Sequence, residues 1–235
     1  MTDQPPSKLG VAETPITCAP TTFEVSENIS AFSIPPAEFL ASRPDIHNLI
    51  AGTMVFRLKP DDPCSPSRLE TLLLQRAPSD SFPLKWEIPA GTADPSIDRS
   101  IAGVAVRELW EETQLRARKL YCTVGLGLGD TTTRLTSGGE VESATMDSEL
   151  EICLLRVSGL TWAVVTFIAD VEKGCGEVVL RPEEHTSWAW IGEDEVMKEQ
   201  VCGKSNETLE FVSEAMKMTL LQGFKLRKHM MGLAG

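Results

Sequence analysis

The chain has little of what several functional classes require. Its six cysteines (Cys18, Cys64, Cys122, Cys153, Cys175 and Cys202) include no close pair, which argues against a zinc site or a disulfide framework and suits a reducing cytosol. No apolar run approaches the ~18 residues of a membrane-spanning helix. The opening MTDQPPSKLG lacks the basic start and apolar core of a secretory signal, so a cytoplasmic location is expected. Positive charge is scarce: the formal net charge is −12, which disfavours nucleic-acid polymers and anionic membranes as partners. An anionic small molecule would need a metal cation or a local basic pocket to offset that repulsion.

What the chain has is an ordinary globular composition, long enough for one good-sized domain with extensions. Residues 1–20, rich in Pro and Thr, are expected to be a flexible segment preceding a single domain over 21–235. TFEVSENISAF alternates like an edge strand, and PAEFLASRP supports one or two helical turns. NLIAGTMVFRL (48–58) and RLETLLLQRA (68–77) are apolar runs separated by a turn-rich loop, which predicts a hairpin. LKWEIPAG reads as a short strand. KLYCTVGLG, LEICLLRV, LTWAVVTFIADV and HTSWAWIG continue the strand pattern, with Ser158-Gly159 as a tight turn. EDEVMKE supports a helical turn or two. The polar stretch 128–148 suggests a long hairpin tip or a lid. The pattern over 206–229 predicts a long C-terminal helix whose basic end (Lys225, Arg227, Lys228) complements the helix dipole. This order of elements predicts an α/β or α+β sandwich.

The stretch RELWEETQL, 107–115, gathers three glutamates within a segment of helical spacing, 98–115. At 100° per residue Ala102, Ala105, Val106 and Leu109 share one arc. With Glu108 at the origin, Glu111 lies near about 300° and Glu112 near about 40°, all three beside the apolar arc. Like charges three and four apart repel one another along a helix, and a divalent cation would reverse that repulsion. Spacing alone leaves two readings open, a solvated acidic face and a metal-gathering one. Trp110 faces away from the carboxylates, towards packing.

The run WEIPAGTADPSIDRSIAGVAVRELWEETQL resembles the signature of the Nudix superfamily, G-x5-E-x7-R-E-U-x-E-E-x-G-U with U aliphatic. Gly91 supplies the opening glycine, Arg107-Glu108-Leu109 the R-E-U, Glu111-Glu112 the E-E and Leu115 the last aliphatic position. The resemblance implies a Nudix-like α/β/α sandwich with a mixed β-sheet, here with a long C-terminal helix. It implies metal-dependent hydrolysis of a diphosphate linked to another moiety, releasing a monophosphate product. Mg²⁺ or Mn²⁺ would be held by Glu108, Glu111, Glu112 and the main-chain carbonyl of Ala90. Arg107 would orient a catalytic glutamate, and Glu108, Glu111 or Glu184 would supply acid–base chemistry. Gly91, Trp86 and Glu183 are candidate substrate contacts, Trp86 by stacking, while burial in the core is the other reading of that ring. Glu183 and Glu184 also read as a solvated loop, and His185 reads as a substrate contact or, more commonly for such a residue, a surface-loop histidine. WEIPAG resembles the entry of Nudix enzymes acting on ADP-ribose and related nucleoside diphosphates. The implied partner is a small-molecule diphosphate; a homodimer is compatible, since many family members pair.

Three departures stand out. The interval from Gly91 to Arg107 is two residues longer than the signature allows. Arg99 occupies the place of its lone glutamate, with Asp98 beside it either as a substitute ion partner for Arg107 or as a helix cap. Gln114 stands where the signature has glycine, so the helix must end differently or strain that residue into a left-handed conformation. These departures keep two alternatives in view, a nucleotide-binding regulatory module and a non-hydrolytic isomerase or cyclase on the same scaffold.

Overall fold

The computed structural model describes residues 22–59, 68–127, 141–174, 177–201 and 208–233. Ten strands and four α-helices follow one another in this order: β1 (Glu24–Val25), α1 (Pro36–Ser42), β2 (Asn48–Leu58), β3 (Leu69–Arg76), β4 (Trp86–Glu87) and β5 (Ala90–Thr92). Then come α2 (Ile101–Thr113), β6 (Ala117–Thr123), β7 (Val141–Asp147), β8 (Ile152–Val157), β9 (Leu160–Val171), β10 (His185–Gly192), α3 (Glu193–Lys198) and α4 (Glu214–Met230). No described helix is long and apolar enough to cross a membrane.

The sheet is mixed. Its spine is the parallel pairing of β2 with β9, registered from Asn48↔Trp162 to Val55↔Ala169. On each outer side of that spine the neighbour changes half-way along. β2 pairs with β5 around Ile50–Gly52 and with β3 around Phe56–Leu58. β9 pairs with β8 over Leu160–Val164 and with β6 over Phe167–Val171. Strand side chains alternate between faces, and the apolar sequence here fills both. Leu49, Ala51 and Val55 of β2 join Leu72 and Leu74 of β3 and Val165, Phe167 and Ala169 of β9 beneath α2. Met54, Leu73 and Ile168 turn the other way, against Leu220 and Phe224 of α4. Helices therefore cover both faces, which is the expected sandwich.

The hairpin of β2 and β3 forms as expected, and Ser158 (φ 50°) and Gly159 (φ 75°) make a two-residue turn with both φ positive, which joins β8 to β9 with the twist that hairpins favour. Other expectations need correction. TFEVSENISAF gives only the two-residue β1, parallel to β6, followed by a 3-10 helix over Glu27–Ser33 that buries Ile29 and Phe32. Burying that pair asks for a spacing of three, which a turn of helix supplies and alternation does not. LKWEIPAG divides into β4 and β5 across Pro89, which lacks the amide hydrogen a continuous ladder needs. The C-terminal helix starts at Glu214, because the Ser213 hydroxyl accepts the Met216 amide as its cap, and Phe211 bridges to Trp86 in extended form. Within 128–148, residues 141–147 form β7 against β8. The flexible segment expected over 1–20 and the tip expected over 128–140 lie outside the described residues.

Helix α2 begins where Ser100 accepts the Gly103 amide, so Asp98 is not the cap. It ends at Gln114, which adopts φ 60° and donates its amide to the Trp110 carbonyl. The strained exit foreseen for this residue is the one observed. Replacing it with the residue suited to that backbone, Gln114→Gly, is expected to raise stability by about 0.5–1 kcal/mol. Urea unfolding monitored by circular dichroism measures this, and an unchanged or lower midpoint would contradict it.

Candidate active site

The site forms where β2 exchanges β5 for β3. Gly91 on β5 faces α2 so closely that an added Cβ would overlap the Glu108 carboxyl group. Only glycine lets this strand and helix approach so far. The contact lowers Glu108 and Glu112, one turn apart, into the floor of a cleft of about 520 Å³. Both are buried, and each has a different neighbour: Glu112 accepts the Ala90 amide at 3.0 Å, while Glu108 accepts from Arg107 at 2.7 Å.

Arg107 organises the rim. Its Nε and Nη2 donate to the two oxygens of Asp98, both at 3.0 Å, a two-toothed pairing that ties the loop before α2 to the helix. Nη1 also reaches Glu111 at 3.3 Å, and Nη2 reaches the Thr92 carbonyl at 3.4 Å. Asp98 thus takes up the ion pair with Arg107, and the lengthened loop places it within reach. Glu111 turns to the outer edge, between Arg107 and Arg181, the latter at 3.6 Å.

A second set of residues closes the cleft from the opposite side. Glu184 lines it, half-buried, with Arg181 at 3.4 Å. His185 follows at the start of β10, fully buried, its Nε2 3.1 Å from Glu87 Oε1 and 4.0 Å from Glu112 Oε1. Glu87 in turn accepts from Arg76 at 2.6 Å, and Arg76 is held by Asp80 at 2.6 Å and the Ser81 carbonyl at 2.5 Å. Glu112, Glu184 and His185 each present one ligand atom within 4.8 Å of the others.

Four acidic side chains, Glu87, Glu108, Glu112 and Glu184, set the electrostatics. Burial pushes the Glu112 carboxyl well above its ordinary range, and the charges of Glu87, Glu108 and Glu184 push it further; the Ala90 amide only partly opposes this. Burial also raises Glu108, with Arg107 pulling it down and Glu111 and Glu184 pushing it up. Such a cluster suits a divalent cation, since its donors are carboxylate oxygens joined by one imidazole.

Several site residues differ from expectation. Glu108, Glu112, Ala90, Gly91 and Glu184 share the cleft, whereas Glu111 sits at its outer edge in ion pairs. Trp86 is no stacking platform: it is buried in the second core, beneath α4, because its neighbours on β3 and at Phe211 enclose the ring. Glu183 is exposed, in the turn that precedes β10, and does not line the cleft. His185 is buried and not on a surface loop. Glu87 escaped notice altogether, although a glutamate between Trp86 and Ile88 in a short apolar strand was a signal. Trp110 packs as expected, buried under the Arg116 guanidinium 5.2 Å from its ring centre.

A family model for the NUDIX domain matches residues 64–210, more than half of the chain. The chain belongs to the Nudix family. Its domain is of the Nudix diphosphohydrolase type. No curated protein sequence matches it. Solved structures that resemble it include a C. elegans Ap4A hydrolase in a binary complex, with 19% identity, a TM-score of 0.45, and 78% of this chain and 98% of that one covered. A MutT protein from Methanosarcina mazei Go1 has 16% identity, a TM-score of 0.47, and coverage of 78% and 97%. The NUDIX domain of Shewanella oneidensis NrtR, complexed with ADP ribose, has 17% identity, a TM-score of 0.46, and coverage of 82% and 97%.

The raised carboxyls have a measurable consequence. A carboxyl whose folded pKa exceeds its unfolded one costs stability once it ionises, so the cost grows as pH rises from the unfolded value through the folded one. Glu112→Gln is therefore expected to melt higher than the wild-type protein in EDTA at pH 8, with the gap closing towards pH 4. Differential scanning calorimetry at the two pH values tests this, and a lower melting point for the variant at pH 8 would refute it.

Proposed function

We propose that this protein hydrolyses a diphosphate linked to another group with the help of Mg²⁺ or Mn²⁺. The observation that carries the reading is the convergence of Glu108, Glu112, Glu184 and His185 on one cleft whose acidic floor is left without a compensating cation from the protein's own side chains at Glu112. Glu108 and Glu112 are the proposed principal metal ligands, with the Ala90 carbonyl beside them and Glu111 completing the set from the outer edge. A bound divalent ion would neutralise phosphate charge and lower the pKa of a coordinated water.

The protein's own groups then have distinct tasks. Glu184 stands within 4.8 Å of Glu112 and is the proposed acceptor of the proton from the attacking water. Arg107, fixed by Asp98, holds Glu108 in place rather than touching substrate. Glu87 fixes the ring of His185, and Arg76 fixes Glu87, so the wall behind Glu112 is rigid. Water adds to one phosphorus, the bridging P–O bond breaks, and the displaced phosphate leaves on the side opposite the attack. Gly91 keeps the space that Glu108 occupies; a side chain there displaces the carboxylate.

Phosphate release from a diphosphate panel including ADP-ribose and a prenyl diphosphate, with Mg²⁺, with Mn²⁺ and with EDTA, tests the proposal. Release should depend on the metal and fall in Glu112→Gln by more than the roughly 10–100-fold typical of groups outside the ligand shell. Glu184→Gln should lower kcat more than it raises KM. A folded wild-type protein that binds a diphosphate and releases nothing would overturn the hydrolase reading in favour of a binding module.

A further inference from the structure

The cleft continues well past the carboxylates, and its far end has a different chemistry. Its charged lining residues, Arg76, Asp80, Glu87, Glu108, Glu112 and Glu184, are bound to one another or gathered at the acidic end. The far end is walled by Val141 of β7, Leu155 and Val157 of β8, Trp162 and Val164 of β9, and Met216 of α4. Among the described residues no charged side chain and no amide side chain lines it. The register sets its depth. Thr166 is level with Gly52 and thus with Ala90 at the metal loop, and Trp162 lies four residues back along β9. At strand rise that is about 13 Å. Trp162 lines the cleft too, and its indole N–H is buried, so it presents no accessible donor to that space.

A sugar or a nucleobase placed there would bring several donors and acceptors against an aliphatic wall and leave them unpaired. A hydrocarbon chain would bury apolar surface on both sides. We infer that the group attached to the diphosphate is a branched hydrocarbon chain of prenyl type, bound between the β8–β9 hairpin and α4. This rests on the diphosphatase reading for the identity of the other end. Hydrolysis of the P–O–P bridge would then convert the alkyl diphosphate and water into the alkyl monophosphate and inorganic phosphate. The resemblance of WEIPAG to ADP-ribose enzymes does not weigh against it, since Trp86 of that stretch is buried in the core.

Two measurements on the full chain separate this inference from the reading beneath it. In the first, farnesol is titrated into the protein in EDTA, followed by calorimetry and tryptophan fluorescence. Binding with a negative heat-capacity change is expected, weakened about tenfold or more by Leu155→Gln and by Met216→Gln, each checked by circular dichroism. In the second, kcat/KM with Mg²⁺ is compared for farnesyl diphosphate and ADP-ribose, and farnesyl diphosphate should lead by about tenfold or more. ADP-ribose turnover without farnesol binding or farnesyl diphosphate turnover would overturn the hydrocarbon subsite and leave the hydrolase intact. Farnesol binding that both variants weaken, with no diphosphate turned over, would uphold the subsite and overturn the hydrolase. Farnesol binding that neither folded variant weakens would place the ligand elsewhere and overturn the inference.

Discussion

The structure turns on one unfavourable contact, the gathering of buried carboxylates around Glu112. Glu87, Glu108 and Glu184 all raise its pKa, and burial raises it more. Nothing in the hydrophobic packing asks for this. Three of the four acids have a cationic or amphoteric neighbour: Arg107 for Glu108, Arg76 and His185 for Glu87, Arg181 for Glu184. Glu112 alone relies on a main-chain amide, that of Ala90, besides the 4.0 Å approach of His185. The surrounding arginines hold the other acids in place, and an acidic floor results whose repulsion either protonation or a metal cation can relieve.

The rigid frame that bears this cost is the β2–β9 spine. Because each of these strands changes its outer neighbour half-way, the sheet leaves gaps on both sides without ending any central strand. Gly91 exploits one gap by letting α2 descend, and the β8–β9 hairpin forms the wall of the other. A site placed at such a gap gets its depth from backbone topology, and side chains then decide what occupies it.

The sequence made the helix of the site legible, because its wheel and the signature pointed to the same residues. Ser100 as cap and Gln114 as a left-handed exit are local matters, and the second was readable from a missing glycine. Asp98 was readable as a partner of Arg107 but not separable from a cap, since the choice depends on where a two-residue longer loop folds back. From sequence, Trp86 stays between stacking and the core, and His185 reads onto a surface loop, for a common reason. Each lies in a short strand whose facing is set by partners distant in sequence, β3 and Phe211 for the one, Glu87 and Glu112 for the other. The 3-10 segment after β1 shows the reverse error, where a spacing of three apolar residues was read as alternation. Glu87 carried a weak signal, a lone acid in an apolar stretch, but with no periodicity of its own to assign it a role.

The tight turn at Ser158-Gly159 connects two strands that meet the acidic floor only through their distal residues. β8 pairs with β9 and β7 alone, so its inward side chains can change without disturbing the strand–helix contact at Gly91. The two halves of the cleft are therefore structurally separable. A substitution on β8 would reshape the far end of the cleft and leave the acidic floor as it is.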